Sequence, residues 1–356
     1  MPPPIPGPRD VPALVMSRDI GSSAARTGTR SGELIRVRPG AYIEGPLPAA
    51  AWAARETVAL AHAAAVVRQL STPVVLSHES AALLHGCWVP GLDGTTHVLQ
   101  RSMPSQPGAD AISRHHSRRL PPEDITEVHG LPVTSLERTV TDCALTLTPR
   151  RALAIADSGL RVLARPDRFE RAASAARLEA ARARLKARLE NLRGARGVVG
   201  ARAVVEHADG FSESPGETDL RWIAVSRGLP RPTAQLRIDT EEESFYVDLG
   251  WILDAEAGSG AVSRLVAAEF DGAGKYAASS PWPDAGPDGR TSLYAEKIRE
   301  DAIRGTGVTF HRFVNHHLRN ADAAFSRLCQ GFPPSVLASL APVQGLIRRP
   351  SRRQGH

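Results

Sequence analysis

Cysteine is scarce in this chain. Cys87, Cys143 and Cys329 are its three cysteines, they lie far apart, and none belongs to a C-x-x-C pair. A cysteine zinc site, a disulfide framework and a disulfide-linked partner are therefore not expected. Long apolar runs are missing as well: no stretch approaches the roughly eighteen residues needed to cross a bilayer. The start, "MPPPIPGPRD", is proline-rich and lacks the apolar core of a signal peptide. The expectation is a cytoplasmic protein with no membrane partner. No internal repeat at solenoid spacing is visible either.

What is present is ordinary in composition and unusual in charge. Hydrophobic residues make up 42% and charged residues 23%, so neither an enzyme nor a binding protein is excluded. A length of 356 residues argues for two or three domains. The net charge of +6 and the pI of about 9.7 favour a polyanionic partner, because Lys and Arg that neutralise phosphates release counterions. Simple solubility is the alternative.

Along the chain, residues 11–48 read as a short helical region followed by the hairpin "GELIRVRPGAYI", with its turn at Pro39-Gly40. Such a unit meets a phosphate backbone when it is a winged helix, with Arg26 and Arg30 on the helix and Arg36 and Arg38 on the hairpin. "AAWAARETVALAHAAAVVRQL" predicts a helix from Ala50 to about Arg68, and "TPVVLSHESAALLHG" a strand, a cap at Ser77 and a helix. In "TSLERTVTDCAL" the spacing of Leu136, Val140, Cys143 and Ala144 predicts one buried helix face, with Glu137, Arg138 and Asp142 on a solvated one. Residues 161–208 read as a basic helical connector in which Arg184, Lys186 and Arg188 could follow a phosphate backbone, or simply be solvated. The tail 331–356 is basic and expected to be disordered.

The segment 209–330 carries the chemistry. It reads helix, strand, strand, strand, helix, strand, with Glu217 in the first turn of a helix, Asp248 inside "FYVDLGW" and Glu269 inside "RLVAAEFDG". A carboxylate in an apolar strand is costly unless compensated, and a divalent cation compensates two at once. Mg²⁺ takes oxygen ligands of this kind and can activate water for attack on phosphorus. Each residue also has a plain reading. Ser214-Pro-Gly-Glu217 is a capping box with proline at the first helical position, Asp248 could face solvent by alternation, and Asp271-Gly272 could begin a turn. His311, His316 and His317 are expected at the surface.

Two resemblances follow. The series of helix, "VDLGW", "AAEFDG", "EKIRED" and "VTFHRF" resembles the PD-(D/E)XK endonuclease superfamily, in particular its domains similar to very-short-patch-repair endonucleases. That resemblance implies Asp248 and Glu269 as ligands of Mg²⁺ and Glu217 as an assisting carboxylate. Asp271 stands where the usual lysine would follow, with Lys275 and Lys297 as substitutes. "GELIRVRPGAYI", "LSHESAALLHG" and "GLPVTSLERTVTDCA" resemble the AbiEi-like antitoxins of type IV toxin–antitoxin systems. That family implies a winged helix joined to a second domain, DNA binding, transcriptional self-repression and a cognate toxin as partner. The expected architecture is an α+β multidomain chain: a winged-helix-like region (11–48) after a disordered start (1–10), an α/β antitoxin-like domain (49–160), the connector, and a restriction-endonuclease-like α/β domain with a central mixed sheet. The expected function is a Mg²⁺-dependent endonuclease with a DNA-binding N-terminal half; a catalytically inactive DNA-binding regulator is the alternative.

Overall fold

The computed structural model describes residues 4–101, 111–116, 120–240, 243–253, 264–272 and 307–347. The chain is a mixed α and β structure with three separate sheets among the described residues. The first is a small antiparallel sheet in the order β1-β3-β2, from β1 (Val15–Met16), β2 (Leu34–Arg38) and β3 (Ala41–Glu44). Between β1 and β2 run the short helix α1 (Ser17–Ile20) and α2 (Ser22–Ser31). The expected hairpin is thus present. Gly40 makes its turn at φ 76°, a left-handed conformation that glycine adopts without steric cost.

Alanine-rich α3 (Ala51–Gln69) then leads into a five-stranded sheet, ordered β6-β5-β4-β8-β7. Its strands are β4 (Val75–Leu76), β5 (Thr96–Gln100), β6 (Ile112–His116), β7 (Ile125–Val128) and β8 (Leu131–Thr134), with α4 (His78–Leu84) following β4 directly. Against it pack α5 (Leu136–Thr146), α6 (Pro149–Ala164), α7 (Arg171–Glu190) and α8 (Val198–His207). Pro149 opens α6 where a missing N–H costs nothing. The predicted apolar face of α5 is buried as expected: Leu136, Val140, Cys143 and Ala144 are all in the core.

Two expectations for this half change. The alanine- and arginine-rich segment is not a free spacer: Leu178, Ala181, Leu185 and Leu189 of α7 recur at helical spacing and are buried in the same core as α5 and α6. Because α7 packs on it, the polar face of α5 is only partly solvated. Asp142 is buried and accepts two bonds of 2.8 Å from Arg138 Nε, while Arg138 and Arg188 donate to the two oxygens of buried Asp124 at 3.0 and 2.7 Å.

The C-terminal part starts with α9 (Pro215–Ser226) and continues through β9 (Thr233–Asp239), β10 (Ser244–Leu253) and β11 (Arg264–Asp271) to β12 (Thr309–Val314). Its sheet order is β12-β11-β10-β9; β9, β10 and β11 pair antiparallel, and β12 is parallel to β11. The helix expected between β11 and β12 lies outside the described residues. Helices α10 (Asn315–Arg319), α11 (Ala321–Cys329), α12 (Pro334–Ala338) and α13 (Gln344–Ile347) close the structure. One face of the sheet packs on α9 and α11 through Leu220, Ile223, Leu249, Trp251, Phe270 and Leu328.

Asp157 of α6 and Arg221 of α9 tie the two halves together as an ion pair of fully buried side chains. The Asp157 carboxylate also accepts the Asp209 N–H at 2.7 Å and the Thr218 hydroxyl at 2.6 Å.

Candidate functional site

Glu217 is placed by the cap of its own helix. Ser214 Oγ accepts the Glu217 N–H at 3.2 Å and its hydroxyl donates to Glu217 Oε1 at 2.9 Å. The return bond goes not to the cap residue but to its neighbour, since the Glu213 N–H donates to Oε2 at 2.8 Å. Gln235, whose backbone sits at φ 50°, adds its side-chain amide at 3.3 Å. The Glu217 carboxyl is pushed well above the usual range, first by burial and then by the nearby Asp248 and Glu213 carboxylates. Glu213 is raised too, by burial, against the pull of Arg168 and Arg161.

Asp248 sits where the strand alternation breaks. Val247 packs with Ala267 and Phe310, whereas Leu249 packs with Leu220 and Phe270 on the other face of the sheet. The β10–β9 register sets Val247 against Leu236 and Leu249 against Ala234, leaving Asp248 and Gln235 facing each other as the irregular pair. Asp248 is half-buried rather than fully solvated, and its Oδ2 accepts the Phe270 N–H at 2.8 Å. That bond holds Asp248 just past the last β10–β11 pair, Leu249 with Ala268.

Glu269 and Asp271 are both buried, and both face Arg312 of β12. The parallel register sets Glu269 against Arg312, with Nη2 3.6 Å from Glu269 Oε2 and Nε 3.2 Å from Asp271 Oδ2. Asp271 is the last residue of β11. Arg312 was not among the residues singled out in the sequence, although an arginine inside the apolar strand "VTFHRFV" was a legible signal. His311, expected at the surface, is buried, because its strand is covered by the turn at Gly331.

The four described carboxylates are thus gathered at one end of the sheet, but as two pairs. Glu217 senses Asp248, and Glu269 shares Arg312 with Asp271. Among the described residues, no three of these carboxylates have ligand oxygens all within 4.8 Å of one another; the set that meets this spacing is His78, His97 and His115, in the five-stranded sheet. Lys275 and Lys297 lie outside the described residues.

The basic candidates fall into two kinds. Arg26 and Arg30, four residues apart on α2, are exposed, as is Arg36 on β2, while Arg38 is half-buried. On α7, Arg184 faces Glu137 at 3.2 Å, Lys186 faces Glu206 at 2.8 Å, and Arg188 is held by Asp124. No helix among the described residues is long and apolar enough to cross a membrane.

No family model matches the chain. Over 128 residues it is 30% identical to the uncharacterized protein MT2308 of Mycobacterium tuberculosis (strain CDC 1551 / Oshkosh) and to the uncharacterized protein Rv2248 of Mycobacterium tuberculosis (strain ATCC 25618 / H37Rv). The matched stretch is 36% of this chain and 42% of each relative, so the similarity spans less than half the length of either.

Proposed function

We propose that this chain binds nucleic acid through its basic N-terminal helix and hairpin and that its C-terminal unit is a Mg²⁺-dependent phosphodiesterase of the PD-(D/E)XK type. The observation that carries this reading is topological. The order α9-β9-β10-β11-β12, antiparallel through β11 and then parallel, brings Asp248 and Glu269 to the same end of adjacent strands, with Glu217 near Asp248.

The donor set suits the ion: carboxylate oxygens are hard ligands, and burial, with the nearby Asp248 carboxylate added, holds the Glu217 carboxyl well above the usual range. Asp248 and Glu269 would hold Mg²⁺, which when bound supplies activation of water and stabilises charge on the leaving oxygen. Glu217 stays fixed by Ser214, Glu213 and Gln235 and orients the Asp248 side of the site. Arg26, Arg30 and Arg36 hold the phosphate backbone.

A second reading is favoured by Arg312. Its guanidinium neutralises Glu269 and Asp271 without a cation, as in a domain that binds nucleic acid but does not cut it. That reading makes the chain a DNA-binding regulator, with a cognate toxin as its further partner. The deciding experiment is cleavage of supercoiled plasmid by the purified chain with Mg²⁺, Mn²⁺ or EDTA, beside Asp248→Asn and Glu269→Gln. Metal-dependent nicking lost in both variants supports the nuclease. No cleavage, with salt-sensitive DNA retention unchanged in both variants, selects the regulator, and no retention at all removes both.

A further inference from the structure

Three histidines from separate segments meet on the five-stranded sheet. His78 opens α4 immediately after β4, His97 lies on β5 and His115 on β6. The parallel β5–β6 register pairs His97 with Ser113, which puts His115 two residues on and on the same face. His97 Nδ1 and His115 Nε2 are 3.1 Å apart, and the His78 ring stacks on that of His115 with centroids 3.9 Å apart. One nitrogen from each ring lies within 4.8 Å of the others.

The surroundings sort the ring nitrogens. His97 Nε2 is 3.3 Å from Glu79 Oε2, a carboxylate anchored in turn by Arg151 at 2.5 Å. That leaves Nδ1 turned toward His115. Ser77 Oγ lies 3.0 Å from His78 Nδ1, so this serine does not cap α4 as expected but holds the imidazole, leaving its Nε2 for a ligand. The backbone at His78 adopts φ 49°, a left-handed conformation uncommon outside glycine, which stands its side chain at the sheet edge of the helix start.

We propose that His78, His97 and His115 form a binding site for one zinc-class divalent transition-metal ion, with Glu79 orienting His97 from outside and a fourth position open to solvent. Imidazole nitrogen suits Zn²⁺ and its neighbours, and three histidines with an open position are a known zinc ligand set. A carboxylate on the far nitrogen of a ligating histidine fixes the ring and raises its basicity. Distance agrees: a tetrahedral ion with Zn–N near 2.0–2.1 Å sets its nitrogens about 3.3 Å apart, and His97 and His115 already stand at 3.1 Å. The imidazole torsion that brings His78 into line is a soft one. Burial pushes all three rings toward the neutral, ligating form, His115 down to about 4. The partial exposure of His97 and His115 leaves the ion a way in. Oxygen-seeking Mg²⁺ has no claim on this site, which is independent of the carboxylates at the end of β11.

The test uses the full chain, stripped with EDTA, dialysed, and titrated with Zn²⁺ by calorimetry and with Co²⁺ in the visible spectrum. The expected result is one Zn²⁺ per chain with a dissociation constant below micromolar, a Co²⁺ ligand-field band that Zn²⁺ abolishes, and a higher melting temperature with the ion bound. His115→Gln, on an edge strand, lowers affinity at least 100-fold, and Glu79→Gln lowers it about 10- to 100-fold. A double variant at the surface pair, His316→Gln with His317→Gln, keeps full uptake. The proposal is overturned if the wild-type chain takes up no Zn²⁺ at micromolar concentration, which leaves a metal-free imidazole network. It is equally overturned if His115→Gln keeps wild-type affinity, or if loss of His316 and His317 removes the uptake. Should His115→Gln fail to fold, the wild-type titration and Glu79→Gln still decide.

Discussion

Arg221→Met should unfold the link between the two halves, because it leaves Asp157 charged in a dry core. The Arg221 and Asp157 side chains are 1% and 0% exposed, so water cannot replace the missing guanidinium. Two donors remain, the Asp209 N–H and the Thr218 hydroxyl, but no countercharge. Methionine fills most of the volume, so the cost is electrostatic rather than that of a cavity. Removing one partner of a buried pair costs about 3–5 kcal/mol. At roughly 2–4 °C per kcal/mol for mid-sized domains, that is a melting temperature lower by about 6–20 °C.

The destabilisation should depend on pH, and the sign is fixed. Burial raises the Asp157 carboxyl above its ordinary value even with Arg221 pulling it down. Without Arg221 it rises further. A raised carboxyl holds its proton more tightly folded than unfolded, so its contribution is present at low pH and lost as pH rises through the folded value. The deficit at pH 7 should therefore exceed that at pH 5. Asp157→Asn added to Arg221→Met keeps an acceptor oxygen and removes the charge, so the double variant should melt nearer to wild type. Circular-dichroism melts of the three proteins at both pH values test this. A deficit below about 1 kcal/mol, one independent of pH, or a double variant no better than the single would refute it.

Three further outcomes are expected. Replacing Arg26, Arg30 and Arg36 with Ala should flatten the dependence of log K on log salt for duplex DNA by roughly 0.9 for each phosphate no longer neutralised, about 2–3 in all, by fluorescence anisotropy; an unchanged slope places the DNA elsewhere. Glu217→Gln should flatten stability against pH: the raised Glu217 carboxyl stabilises fully below its ordinary 4.5 and less as pH rises through its folded value, whereas Gln does not titrate. Parallel melting curves for wild type and variant from acid to neutral pH would count against it. Of the three thiols, buried Cys87, pushed up to about 12, and buried Cys143 should be silent to a thiol reagent in the native state, with half-buried Cys329 reacting first. Two or three fast thiols would mean that the core opens.

Local signals in the sequence were legible and long-range ones were not. The hairpin at Pro39-Gly40, the limits of α3 and the cap of Ser214 on Glu217 each rest on neighbours within a few residues, and the structure has all three, although the return bond of the expected box comes from Glu213 instead of Ser214. The burial of α7 and of the Arg138–Asp142 face is different. Helical periodicity says which residues share a face, but Leu178, Leu185 and Leu189 alternate with so many charges that nothing local reveals what covers them. Once α7 lies on α5, Arg188 reaches Asp124 across 64 positions, a pairing that only the fold creates.

The two candidate ion sites differ for the same reason. A carboxylate inside an apolar strand breaks a pattern, so Asp248 and Glu269 announce themselves singly, before any pairing is known. Their number says less than their neighbours do, since Arg312, which meets Glu269 only through the parallel pairing of β11 with β12, can neutralise what a metal would. A histidine breaks no pattern, because a neutral imidazole sits comfortably half-buried in a strand. His78, His97 and His115 have no motif spacing between them, and the order β6-β5-β4 alone brings them to one place. The carboxylate site is thus visible in sequence but not fixed by it, while the imidazole site is invisible in sequence and closely arranged in space. An ion titration of the intact chain separates them cleanly, because hard Mg²⁺ and borderline Zn²⁺ choose between oxygen and nitrogen donors.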